Sequence, residues 1–242
     1  MFLVLGLLLF LYNYWLGIKT YLKNIEIKNT TLDPISLNDH LQKIKKLNID
    51  NVILEASSHG LKQNRLNGLN FKTGIFTNLS HDHLDYHKSF KDYLKSKLLL
   101  FQNLLKKNSN VITDINIPQY KTIKNIAKKK HQKIFTIGSK KSYLELTKHK
   151  YIDDKQLFEI KYKNKVYDIT VNLIGKIQIK NVLMAMIAAE KSNIKFEKII
   201  KSIHKIKPIN GRIEKIGYLK NSSKVILDYA HTPEALSNCL QN

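Results

Sequence analysis

Glu55 through Phe101 hold an acid, paired serines, a histidine–aspartate cluster and one oddly placed lysine in a single stretch. Glu55 stands near the end of the apolar run Asn51–Ala56, followed at once by Ser57, Ser58, His59 and Gly60. Ligands of α/β sheets bind beyond the carboxyl ends of strands. A carboxylate there suits Mg²⁺, which takes a few hard oxygens and keeps its waters and substrate phosphates. Read alone, it is equally a solvated strand-end acid, but the small polar turn behind it gives a ligand room to approach. His81, Asp82, His83, Asp85 and His87 follow the next apolar run, Gly74–Leu79, in the same way. Three imidazoles and two carboxylates in seven residues indicate a metal or phosphate site, with zinc as the competing interpretation.

Lys97 shares one helical stripe with Phe90, Tyr93, Leu94, Leu98 and Phe101, whereas Lys91 and Lys95 fall off it. A lysine on an apolar face is costly unless it snorkels, pairs or changes chemistry. Desolvation lowers its pKa, and a neutral amine can take up CO₂ to become a carbamate with two metal-binding oxygens. Snorkelling remains open on the pattern alone. Arg65 and Arg212 are the only guanidinium forks in the chain, and each could clamp a phosphate or carboxylate, or make an ordinary surface ion pair.

The elements that must position these groups alternate. Residues 35–48 have helical spacing, Asn51–Ala56 and Gly74–Leu79 read as strands, and a helix is expected from about Phe90 to Leu105. Asn110–Asp114 and Lys133–Ile137 are further strands. Phe158–Tyr162 and Val166–Val171 alternate around Lys163-Asn164-Lys165 as a hairpin. Helices follow over Asn181–Lys191 and Phe196–His204, then a linker at Pro208–Gly211. Strands at 213–217 and 224–229 and a helix starting near Thr232-Pro233 complete the chain. The order implies α/β architecture, a mostly parallel sheet flanked by helices, followed by the beginning of a second α/β domain. The expected boundaries are 1–18 for an apolar segment, 19–208 for the first domain and 209–242 for the second.

The net charge of +22 would suit nucleic acid, but 39 of the 41 basic residues are scattered lysines. Base readout and bidentate phosphate clamps favour arginine, so no nucleic acid is expected; nucleotides and other small polyanions fit better. Cys239 is the single cysteine, which excludes an internal disulfide and fits a reducing, cytoplasmic setting. Residues 1–18 are apolar and at the short end for a bilayer span, so they could be an anchor, a buried element or a non-native start. No GxxxxGK[ST] phosphate loop occurs.

Six segments in order carry a resemblance: Thr30-Thr31-Leu32-Asp33, EASSHGL from Glu55, TNLSHDHLDYH from Thr77, YLKSKLLLF from Tyr93, Gly175 through Asn181, and Asn210-Gly211-Arg212 with Asp228-Tyr-Ala-His-Thr-Pro233. Together they resemble the Mur ligases, most of all the members that add the third residue of the peptidoglycan stem peptide. The resemblance implies the family's central ATP-binding domain without its phosphate-loop start. It implies Glu55, His83 and a carbamylated Lys97 as catalytic ligands of two Mg²⁺ ions. It implies Thr30, Thr31, Ser57, Gln63 and Arg65 as contacts of UDP-MurNAc-L-Ala-D-Glu. Asn181, Arg212, Asp228 and His231 would contact ATP, with Tyr229 lining the same cleft. Gln178 departs from the family's asparagine, and Pro34 comes one place later than usual.

The implied reaction is ATP-dependent ligation of a diamino acid to the dipeptide carboxylate through an acyl phosphate, by a monomer. The missing phosphate loop and most of the amino-acid-selecting domain imply an impaired fragment. Two alternatives stand beside it. One is a non-catalytic binder of nucleotide sugars or a partner, tethered to a membrane by residues 2–18. The other is a zinc hydrolase built on His81, His83 and His87.

Overall fold

The computed structural model describes residues 30–49, 51–80, 82–152 and 155–240. Six strands form one sheet in chain order: β1 (Phe71–Phe76), β2 (Leu105–Asp114), β3 (Lys133–Gly138), β4 (Leu144–Ile152), β5 (Lys155–Tyr162) and β6 (Lys165–Val171). β1 to β4 run parallel, and β5 and β6 are antiparallel additions. Parallel strands are covered on both faces, which is why Val111 and Ile112 are both fully buried on opposite sides of β2. The β5–β6 hairpin turns at Lys163-Asn164, with Lys163 at φ 54.

Helices pack on both faces. On one lie α5 (Lys176–Lys191) and α6 (Phe196–Ile203). Val182 through Ala189 are all buried, as expected of a helix apolar around its circumference. On the other lie α1 (Pro34–Lys46), α2 (Ser58–Lys62), α3 (Phe90–Leu99) and α4 (Tyr120–Lys129). Asp33 caps α1 through Ile35 and Ser36 N–H, with Pro34 at the first helical position. A separate antiparallel pair, β7 (Glu214–Tyr218) and β8 (Lys224–Leu227), precedes α7 (Pro233–Leu240).

Several expectations are corrected. Asn51–Ala56 is extended but joins no ladder among the described residues. Ile53 faces one core and Leu54 and Ala56 the other, so burial produces the strand-like pattern without pairing. The helix expected to Leu105 ends at Leu99 and passes through a π turn, Leu100–Leu104, before Leu105 begins β2. The strand expected to run to 229 stops at Leu227, because Asp228 turns its carboxylate onto the backbone N–H of Ile213 (2.8 Å) and Ala230 (2.7 Å). Among the described residues no helix is long and apolar enough to cross a membrane, and residues 1–18 lie outside them.

Candidate functional site

The turn at Glu55 is built around Thr31, which is 4% exposed. Its hydroxyl accepts the Ser57 N–H at 2.9 Å and lies 2.9 Å from both the Glu55 carbonyl and the Ser57 hydroxyl. Ser57 in turn caps α2, accepting the Gly60 N–H at 3.1 Å. Gly60 is required by close approach: a Cβ there would sit 2.6 Å from Thr31 Cγ2. Arg65 closes the cluster, donating from Nη1 to the Thr31 carbonyl and from Nε to Gln63, each at 2.8 Å. Gln63 donates to the Tyr86 hydroxyl at 2.9 Å. Four of the residues singled out for one ligand thus share one hydrogen-bonded cluster, with Thr30 exposed beside it.

Glu55 joins that cluster through its carbonyl. Its Oε2 is buried with no hydrogen-bond partner among the described residues. Burial pushes its carboxyl above the usual carboxylate range, against the pull of the Lys97 and Arg212 cations. Lys97 is 9% exposed on α3. Burial lowers its amine to about 8, opposed by Glu55 and Asp82, whose carboxylates lie close enough to act on its charge. Its Nζ sits 5.2 Å from the centre of the Tyr93 ring, and the His83 ring stands 5.8 Å from that same ring. Asp82 holds His83 in the left-handed region at φ 55 by accepting its N–H at 2.7 Å. Lys97 is therefore within electrostatic reach of Glu55 and Asp82, and it shares the Tyr93 ring with His83. The buried Glu55 oxygen without a hydrogen-bond partner among the described residues could accept a cation beside it.

The histidines separate into different roles. His87 is buried, with Nε2 2.9 Å from the Ser58 hydroxyl, so it is not placed as a solvent-facing ligand. His59 packs its ring 4.0 Å from Tyr86, and burial lowers its pKa with help from the His83 charge. His81 lies outside the described residues. Among the described residues no three His, Cys, Asp or Glu side chains converge as a metal shell; His81, one of the three histidines of the zinc reading, lies outside them.

Of the nucleotide-side candidates, Arg212 is close enough to act on the Glu55 charge. Asn181 is buried on α5, one turn from Gln178, whose buried Oε1 has no partner among the described residues. Arg212 lies over the Tyr229 ring at 5.2 Å, and Tyr229 meets His231 edge-on at 5.1 Å. Asp228 ties this turn to β7 through the Ile213 N–H. No hydrogen bond joins Asn181 to these three among the described residues. One feature escaped the sequence reading: Asp114 ends β2 buried, paired with Lys180 at 2.8 Å. With Asn116, Gly138 and Ser139 it lines a cavity of about 200 Å³ at the carboxyl ends of β2 and β3. The strand-end acid signal that picked out Glu55 would have found it.

Residues 6–189 match the Mur ligase middle domain. The UDP-N-acetylmuramoyl-L-alanyl-D-glutamate–2,6-diaminopimelate ligase of Chelativorans sp. (strain BNC1) is 33% identical over 212 residues, 88% of this chain and 44% of that protein. The enzyme of the same name from Rickettsia bellii (strain RML369-C) is 36% identical over 211 residues, 87% and 44% respectively. A solved structure of a ligase of that name aligns with a TM-score of 0.74 at 28% identity, over 87% of this chain and 43% of the other. MurF ligase from Thermotoga maritima in complex with ADP shares the fold, with a TM-score of 0.69 at 15% identity over 98% of this chain and 54% of that one. The chain spans less than half the length of these curated relatives.

Proposed function

This chain belongs to the Mur ligase family through its middle domain, and on that premise we propose that it serves ATP-dependent amide-bond formation. The acceptor is the D-glutamyl carboxylate of UDP-MurNAc-L-Ala-D-Glu, and the incoming amine is 2,6-diaminopimelate, as in the names of its relatives. The observation that carries the reading is the buried amine of Lys97, lowered to about 8, beside a buried Glu55 oxygen without a partner among the described residues. At that pKa a sizeable neutral fraction exists near neutrality, and CO₂ uptake would exchange a desolvated cation for an anion.

Glu55, His83 and the carbamate of Lys97 would hold two Mg²⁺ ions, with Glu55 and the carbamate supplying hard oxygens. The ions, when bound, neutralise charge on the phosphoryl oxygens. The Thr31–Ser57–Gln63–Arg65 cluster, with Thr30, orients the dipeptide precursor. Arg65 uses two of its five donors inside the chain, leaving others for an anion. The γ-phosphoryl passes to the glutamyl carboxylate, the amine attacks the acyl carbon, and phosphate leaves. Asn181, Arg212, Asp228 and His231 belong to the nucleotide side of this cleft; both Asp228 oxygens already accept one N–H and retain a lone pair for a ribose hydroxyl. Residues 209–242 begin the second domain in this reading.

Calorimetry tests it directly. The chain should bind Mg²⁺-ADP and UDP-MurNAc-L-Ala-D-Glu, and Arg65→Ala should abolish only the second. A chain that binds neither ligand would defeat the reading.

A further inference from the structure

The three segments carrying Glu55, His83 and Lys97 meet at a fourth residue, which is buried and hydrogen-bonds to His83 through the backbone. We propose that His87 is a positioning residue, whose ring fixes these segments in the arrangement that binds metal. The inference rests on the metal-site reading above. Toward the first segment, His87 Nε2 lies 2.9 Å from the hydroxyl of Ser58, which opens α2 directly after the Glu55 turn. Toward the second, its ring meets that of Tyr86 at 5.0 Å and 90°, while the His87 backbone N–H donates to the His83 carbonyl at 2.9 Å, closing the turn in which His83 is left-handed. Toward the third, its ring stacks on Tyr93 of α3 at 5.0 Å and 25°. Lys97 holds its ammonium over that same Tyr93 ring.

The chemistry of the ring argues for placement over mere filling. Nδ1 is buried with no hydrogen-bond partner among the described residues, and Asp92 Oδ2 is 3.6 Å away, beyond hydrogen-bond reach. Asp92 is engaged elsewhere, by Lys62 Nζ at 2.6 Å. A buried unpaired nitrogen is a cost that leucine or phenylalanine would avoid. What an apolar side chain could not supply is the Ser58 bond. Groups that orient metal ligands commonly change metal affinity about 10- to 100-fold when removed.

The test is Mn²⁺ binding to the whole chain, read by electron paramagnetic resonance in bicarbonate buffer. His87→Leu should weaken binding at least about tenfold. His87→Gln, whose amide nitrogen reaches where Nε2 lies, should stay within about threefold of the parent because the Ser58 bond survives. Equal affinity in His87→Leu overturns the proposal, since a purely space-filling ring predicts that result. Should His87→Leu lose its circular-dichroism signature, Ser58→Ala replaces it: weakened Mn²⁺ binding supports the proposal and unchanged binding overturns it. A parent chain that binds no Mn²⁺ sinks the metal reading instead. Amide exchange then decides the positioning role, because His87→Leu must accelerate exchange across 56–60 and 82–86 while His87→Gln must not.

Discussion

Replacing Lys97 by methionine isolates the cost of the buried amine. In the unfolded chain the amine titrates near 10.5, and in the fold burial brings it to about 8. At roughly 1.4 kcal/mol per pKa unit, that gap corresponds to about 3 kcal/mol of destabilisation when the group is charged. Between pH 8 and 10.5 the unfolded chain binds a proton that the folded chain has released, so stability rises with pH across that window. Below pH 8 both states are protonated and the penalty is constant. Methionine matches the stem in length and removes the charge. Lys97→Met should therefore raise the free energy of unfolding by up to about 3 kcal/mol at pH 7, less whatever Glu55 loses with its cation, and flatten the alkaline rise. Urea titrations at pH 7, 8 and 9.5, under argon to exclude CO₂, measure both. A variant less stable than the parent at pH 7, or a parent flat between pH 8 and 9.5, would refute the reasoning.

With ¹³C-bicarbonate supplied near pH 8, a carbamate carbon resonance should appear in the parent and be absent from Lys97→Met. Thr31→Val leaves the Ser57 N–H without its acceptor and should cost about 1–3 kcal/mol in urea melts, with weaker binding of the dipeptide precursor by calorimetry. Gly60→Ala drives a methyl to 2.6 Å from Thr31 Cγ2 and should cost about 1–3 kcal/mol; adding Thr31→Ser removes that methyl contact and should recover part of the loss, a non-additivity that a double-mutant cycle measures. Glu55→Gln should abolish Mn²⁺ binding while leaving the melting midpoint equal or higher, because it removes a buried charge that burial already disfavours.

Much of the sheet was legible because its strands are short apolar runs with hard punctuation. β3 and the β5–β6 hairpin announced themselves that way, whereas β1 runs over Phe71–Phe76, three residues ahead of the Gly74–Leu79 run read as a strand. β4 did not, since most of Leu144–Ile152 is exposed or half-exposed and lacks a run to recognise. α4 was hidden for a similar reason: it carries four lysines and only Ile123 and Ala127 are buried. The apolar run Asn51–Ala56 correctly reported burial, but pairing is a property of the neighbour and not of the run. At the site, the misplaced Lys97 and the strand-end Glu55 were visible because each violated its local pattern. His87 was grouped with the metal candidates by spacing alone. Its true partner, Ser58, is 29 residues away in sequence, a distance no local pattern spans.

The π turn at Leu100–Leu104 separates two requirements that an uninterrupted helix would have to meet together. Upstream, Lys97 must keep its heading; downstream, Leu105 must enter β2 opposite Phe71. The wider turn inserts one residue of slack between them, and Gln132 locks that slack by donating to the carbonyls of Phe101 and Leu105 at 2.7 and 3.0 Å. Trimming one residue from the turn would then slip the strand while sparing the amine, so errors of length here fall on sheet assembly and leave chemistry intact.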